Sequence, residues 1–127
     1  MKTILSVHWA LIASLWYFGN GILHSVTVLM QHKGKYDTEV LRLLMDGHIL
    51  MLSGAVVFMC WLMMLNKIQC GGVISIIVAG FMILYCLMIF PFLKSYVTMA
   101  ISIFLIIASI KAIYSFPNIY NIMQNYN

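Results

Sequence analysis

The feature that most constrains this chain is a series of four long apolar stretches separated by short polar segments. They cover residues 3–30, 49–65, 72–90 and 96–116, and Lys111 is the one charged residue within them. A helix that crosses a bilayer needs about 20 predominantly apolar residues. Only 8% of the chain is charged, against about 25% in a typical soluble domain. Most of the outer surface is therefore expected to face lipid.

These stretches predict an all-α fold, an integral membrane four-helix bundle in up-down-up-down order. Because the connections are short, consecutive helices are expected to be antiparallel neighbours. We expect one transmembrane domain over residues 1–127, multi-pass in a plasma (inner) membrane, with both termini on the same side. The predicted helices cover residues 3–30, 39–66, 72–90 and 96–116, followed by a tail at 117–127.

The net charge of +4 does not indicate nucleic-acid binding, because the basic residues are scattered at helix ends, where they meet lipid headgroups. The lipid bilayer is the partner that this distribution predicts. The basic residues split four to three between the two faces, so both orientations stay open, with a slight preference for external termini. The apolar run after Lys2 continues to Met30, and we interpret it as a retained anchor.

The connections carry turn and capping signals. Gly34 permits the first turn, and Asp37 or Thr38 can cap the second helix. Pro91 ends the third helix or starts the next connection. The three cysteines form no metal-binding spacing. Two of them, Cys60 and Cys86, are expected to be buried, and Cys70 to be accessible.

Small residues recur at spacings that favour close helix packing. Gly19 and Gly21 flank Asn20, which marks a place where a neighbouring backbone approaches or the first helix bends. The other members are Gly47, Ser53, Gly54 and Ala55 in the second helix, and Gly72, Ser75, Ala79 and Gly80 in the third.

Nearly all of the polar chemistry lies in the hairpin from His24 to His48, which holds three of the four histidines and all three carboxylates. The first loop is centred near residue 35. In an antiparallel hairpin, residues equally far from that centre should lie at similar depth in the membrane. His24 and Asp46 are each eleven residues from that centre, and His48 lies slightly deeper. The spacing therefore predicts one polar layer, formed by His24, Asp46 and His48, a little below one membrane face.

The angular positions of Asp46 and His48 around the second helix limit which of them can face His24. Asp46 and His48 are separated by about 200° around the helix, so both cannot point at the first helix. Either one faces His24 and the other faces the third or fourth helix, or Gly47 lets the helix distort. This rotation argues against a metal site built from His24, Asp46 and His48, and the sequence leaves the presence of a metal unknown.

Asp46 and Asn20 each allow a structural and a functional interpretation. Arg42 precedes Asp46 by one turn, so the two can pair at the membrane interface. Alternatively, Asp46 binds a proton or a ligand, because burying it unpaired would cost about 2.5–3.5 kcal/mol on insertion scales. Asn20 either lines a cavity or makes a helix-packing contact. Arg42 and Asn20 are thus further ligand-binding candidates.

His24 and His48 also leave two interpretations open. They are either neutral histidines hydrogen-bonded between helices, or axial ligands of a b-type haem, since bis-histidine ligation requires two histidines on facing helices at matched depth. The sequence leaves the cofactor unknown, and haem b is one that this pair would suit.

In size and helix count the chain is similar to small four-helix membrane proteins such as the DoxX-like group and the small multidrug transporters. The similarity is one of outline. Those transporters use a carboxylate within the first helix, and the first helix here contains none. The resemblance therefore implies no functional residue in this chain.

No catalytic residue is predicted, because GxSxG, HExxH, P-loop and GxGxxG patterns are absent. We expect a non-enzymatic binding or accessory subunit, with another membrane subunit or a second copy as partner. Two alternatives stay open. One is a redox membrane subunit that binds haem or quinone between His24 and His48. The other is a small proton-coupled transporter that acts as a dimer, with Asp46 as the titrating group.

Overall fold

The computed structural model describes residues 2–33, 37–89 and 95–116. It contains four α-helices, which are α1 (Lys2–Gln31), α2 (Thr38–Leu65), α3 (Gln69–Ile89) and α4 (Tyr96–Ser115). The prediction of an all-α chain with four helices is confirmed for these residues. The expectations for Gly34, Pro91 and the tail at 117–127 lie outside the described residues.

The third helix begins three residues earlier than predicted, at Gln69. Its first turn lies directly on α2, since a Cβ atom on Gly71 would be 2.7 Å from the carbonyl oxygen of Cys60. The amide of Gly71 donates to the carbonyl of Ile68 at 3.2 Å. Glycine at this position lets the helix start where a larger side chain would hold it away from α2.

Three of the described helices, α2, α3 and α4, are long and apolar enough to cross a membrane, which indicates a membrane protein. Helix α1 is long enough, with 30 residues, but it is not among these candidates because it is more polar. Its polar residues include Ser14, Tyr17, Asn20, His24 and Ser25. The predicted fourth span therefore depends on where α1 places these side chains.

Each helix packs against two neighbours. Helix α1 lies against α2 and α4, and α3 lies against the same two helices. Neighbouring helices run in opposite directions: Trp16 of α1 contacts Thr98 of α4, whereas Trp9, earlier in α1, stacks on Phe104, later in α4. The shared core includes Tyr17, Leu50, Val57, Met82 and Leu105.

Facing glycines bring α1 and α2 close together. A Cβ atom on Gly21 would lie 2.6 Å from the carbonyl oxygen of Gly47, and one on Gly54 would lie 2.7 Å from the amide nitrogen of Phe18. At the second position the hydroxyl of Ser14 also donates to the carbonyl of Gly54 at 2.8 Å. Gly47 and Gly54 of α2 therefore serve packing within the chain, as their spacing predicts.

Helix α2 has defined caps at both ends. At its start, the carboxylate of Asp37 accepts hydrogen bonds from the amides of Glu39 and Val40 at 3.1 and 2.9 Å. Of the two predicted capping residues, Asp37 is thus the one that caps the helix. At its end, Lys67 has a φ of 58°, in the left-handed region that glycine usually occupies after a helix.

The outer surface is apolar on all four helices. Soluble proteins rarely expose contiguous apolar patches larger than a few hundred Å². On α1, Ser14 and Tyr17 are buried against other helices, so much of its polarity is turned inward. The exposed apolar residues of α1 include Ile12, Leu15, Ile22, Leu23, Val26, Leu29 and Met30, and those of the other helices include Leu52, Met59, Phe81, Met88 and Phe104.

Candidate functional site

His24 reaches from α1 to α2. Its ring is half-buried, and its Nε2 atom lies 3.1 Å from the carbonyl oxygen of Leu43. Because a carbonyl oxygen only accepts, Nε2 of His24 is the donor in this contact. The contact fits the interpretation of His24 as a histidine hydrogen-bonded between helices.

Asp46 is turned toward α3, where its carboxylate interacts with the hydroxyl of Tyr85. Both residues are half-buried, and Arg42, one turn earlier in α2, is exposed. Tyr85 lies within the third apolar stretch of the sequence, at 72–90. The structure makes it a partner of the predicted carboxylate, so the polar layer extends into α3.

His48 is exposed, and its Nδ1 donates to the carbonyl of Leu44 in its own helix at 2.8 Å. Asp46 and His48 therefore lie on different sides of α2, as their angular separation predicts. Asp46 faces α3, whereas His48 lies on the outside. His24 and His48 are each hydrogen-bonded to a backbone carbonyl of α2, at Leu43 and Leu44. This arrangement does not favour one haem bound between them.

Metal-binding groups are not gathered anywhere in the described part of the chain. No three histidine, cysteine or acidic side chains among those residues are close enough to hold a metal ion. The three cysteines are free; Cys60 and Cys86 are buried and Cys70 is exposed, as predicted.

A second polar cluster joins α1 to α4. The hydroxyl oxygens of Tyr17 and Ser102 lie 2.6 Å apart, and Ser102 donates to the carbonyl of Thr98 at 2.7 Å. The indole N–H of Trp16 donates to the hydroxyl of Thr98 at 3.1 Å. Sequence reasoning missed this cluster. A usable signal was the spacing of Thr98, Ser102 and Ser109, which puts three hydroxyls on one face of an apolar helix.

An open cleft of about 500 Å³ lies on the outer surface between α1 and α2. Ser14 lines it, but its hydroxyl is already bonded to Gly54. The cleft therefore offers apolar contacts and suits an apolar chain or side chain better than a polar substrate. The remaining lining includes Leu15, Phe18, Gly19, Ala55, Phe58 and Met59.

Asn20 lines a smaller cleft of about 240 Å³ with four other residues of α1. Its side chain is half-buried. The described hydrogen bonds from α1 to its neighbouring helices come from Ser14, Trp16, Tyr17 and His24, and Asn20 is not among them. The structure therefore places Asn20 at an outward-facing cleft, one helical turn before His24.

These features define a class of protein: a small all-helical membrane protein with polar contacts between its helices and apolar clefts on its outer surface. Comparisons of the chain with protein-family models, with curated proteins and with solved structures found no match.

Proposed function

We propose that this chain is a four-span integral membrane protein that acts as a non-enzymatic binding or accessory subunit. In this proposal α1 is the fourth span, with both termini on one side of a plasma (inner) membrane. Support comes from the placement of its side chains: Ser14, Tyr17 and His24 are bonded to other helices, and the surface left for lipid is largely apolar. In the hydrocarbon core, polar groups bonded within the protein avoid the cost of facing lipid.

One observation is the main support for the accessory role. The polar side chains of the predicted layer contact other parts of the chain, His24 at Leu43, Asp46 at Tyr85 and His48 at Leu44. The clefts, by contrast, are lined mainly by apolar side chains. A surface of this kind binds another apolar partner in the membrane, and it supplies no group that activates a substrate.

The fourth span is tested by labelling single cysteines with a membrane-impermeant maleimide in intact cells, in a Cys70→Ser background. Four spans require Lys2→Cys and Lys67→Cys to be labelled from one side and Lys33→Cys from the other. If Lys2→Cys and Lys33→Cys are labelled from the same side, α1 does not cross the membrane.

The accessory role is tested by a visible absorbance spectrum of the detergent-purified protein, before and after dithionite, from a host with a confirmed haem supply. We expect a flat spectrum. A Soret band that shifts on reduction would replace this proposal with the redox alternative, and His24→Ala and His48→Ala would then identify the ligands.

The contact between Asp46 and Tyr85 supports a second candidate, a proton-coupled transporter that acts as a dimer. A half-buried carboxylate beside a phenol hydroxyl can exchange a proton with a bound substrate. Proton release on mixing with lipophilic cations, measured in weakly buffered detergent solution and lost in Asp46→Asn, would support it. Release that persists in Asp46→Asn would exclude Asp46 as the titrating group.

A further inference from the structure

We propose that two copies of this chain pair through the outward face of α1, with the Asn20 amide of one copy bonded to that of the other. The proposal rests on the proposed function in one respect, because it requires α1 to cross the membrane. It goes further by naming the partner, a second copy, and the contact that selects it.

The first support is a stripe along α1 in which successive members are four and three positions apart. Asn20 is half-buried and the other members are exposed. Alternating steps of four and three give the 3.5-residue period of two helices that pack side by side in a left-handed pair. At about 1.5 Å per residue, the stripe is long enough to meet another helix through most of a bilayer. Its members are Trp16, Asn20, Leu23, Thr27 and Met30.

The second support is the open space at Gly19. A Cβ atom on Gly19 would have nothing within 4 Å, whereas one on Gly21 would collide with α2. The clefts of about 500 and about 240 Å³ both include Leu15 and Gly19, so they meet at this glycine. Small residues let the backbones of membrane helices approach closely. Gly19 therefore leaves room for a helix from outside the chain, beside the amide of Asn20.

The third support is the chemistry of the amide, which identifies a second copy as the occupant. A carboxamide both donates and accepts, so two asparagine side chains complement each other. Two copies inserted in the same direction are related by an axis along the membrane normal, which places their Asn20 residues at equal depth. A lipid acyl chain could fill the apolar space, but it offers no polar atom to an amide that would otherwise face hydrocarbon.

The geometry is tested by oxidative cross-linking of the full-length protein in membranes, in the Cys70→Ser background. Leu23→Cys lies on the stripe. Leu84→Cys is the matched control on α3, since Leu23 and Leu84 are 64% and 56% exposed and lie near the same depth, beside His24 and Tyr85. We expect disulfide-linked dimers for Leu23→Cys alone. Equal cross-linking of both variants, or none at Leu23→Cys, would overturn the proposal.

The chemistry is tested by energy transfer between labelled copies diluted in lipid vesicles. Asn20→Leu should raise the dimer dissociation constant about 5- to 30-fold, the range expected for hydrogen bonds between model membrane helices, and Asn20→Gln should retain most of the affinity. Gly19→Leu, whose Cβ atom would have nothing within 4 Å, places a larger side chain in the open space and should also weaken the dimer. A dissociation constant unchanged in both Asn20→Leu and Gly19→Leu would refute the pairing.

The maleimide labelling described above separates the two proposals. If α1 crosses the membrane and the protein stays monomeric on dilution, the pairing is refuted and the accessory role stands. If α1 does not cross, the four-span arrangement and the pairing are both refuted.

Discussion

The Tyr17 hydroxyl donates to the Ser102 hydroxyl, 2.6 Å away, and this contact joins α1 to α4 in the interior. The direction follows from Ser102, whose single hydroxyl hydrogen is directed at the carbonyl of Thr98, 2.7 Å away. Both residues are fully buried. The first and last helices of the chain are thus tied together by an ordered series of hydrogen bonds.

This order of donors and acceptors predicts that removing the Ser102 hydroxyl destabilises the protein more than removing the Tyr17 hydroxyl. Tyr17→Phe removes the donor and leaves Ser102 bonded to Thr98, so it should lower the free energy of unfolding by about 1 kcal/mol. Ser102→Ala leaves the buried Tyr17 hydroxyl without its acceptor and should cost more, about 1–3 kcal/mol. Unfolding by SDS in mixed micelles measures both, and the double variant should cost less than the sum. Equal, additive losses would show that the two hydroxyls do not interact.

The glycines of the chain predict opposite responses to the same substitution. Gly21→Ala places a Cβ atom 2.6 Å from the carbonyl oxygen of Gly47, so α1 and α2 must move apart, at a cost of about 1–3 kcal/mol. Gly80→Ala is the control, because its Cβ atom would have nothing within 4 Å. It should stabilise α3 by about 0.5–1 kcal/mol. The same SDS titration compares them, and a neutral Gly21→Ala would contradict the close approach.

The helices could be predicted from the sequence because their signals are local. Apolar length and scarce charge identify a membrane helix regardless of its neighbours, and Asp37 caps α2 through amides two and three residues away. The spacing of Gly47 and Gly54 also predicted close helix packing, although not that α1 is the helix they approach. The start of α3 did not, because it depends on the contact of Gly71 with α2.

The polar contacts were harder to predict because they depend on how each helix is rotated about its axis. The bond between Tyr17 and Ser102 joins residues 85 positions apart, and no local pattern fixes that rotation. For α2, the spacing showed that Asp46 and His48 must face different ways, yet it could not say which one turns toward α3. The structure gives that place to Asp46, opposite Tyr85.

The cap at the start of α2 predicts that the protein loses stability when the capping oxygen atom of Asp37 is removed. Asp37→Ala removes the acceptor of the amides of Glu39 and Val40, and it should lower stability by about 1 kcal/mol. Asp37→Ser keeps a capping oxygen and should retain most of that stability. Thermal unfolding in detergent, followed by circular dichroism, distinguishes the variants. A serine variant as unstable as the alanine variant would assign the effect to the charge of Asp37.

The turn after α2 predicts that replacing Lys67 with glycine raises the stability of the protein. The amides of Ile68 and Lys67 bond back to the carbonyls of Met63 and Met64, each at 3.0 Å, and Lys67 adopts a φ of 58°. A left-handed conformation costs a residue with a Cβ atom about 1–2 kcal/mol, and glycine avoids this cost but loses about 0.5–1 kcal/mol of chain entropy on folding. Lys67→Gly should therefore raise the free energy of unfolding by about 0.5–1 kcal/mol. Lys67→Ala removes the charge and keeps the strain, so a gain of the same size in that variant would trace the effect to charge and not to backbone conformation.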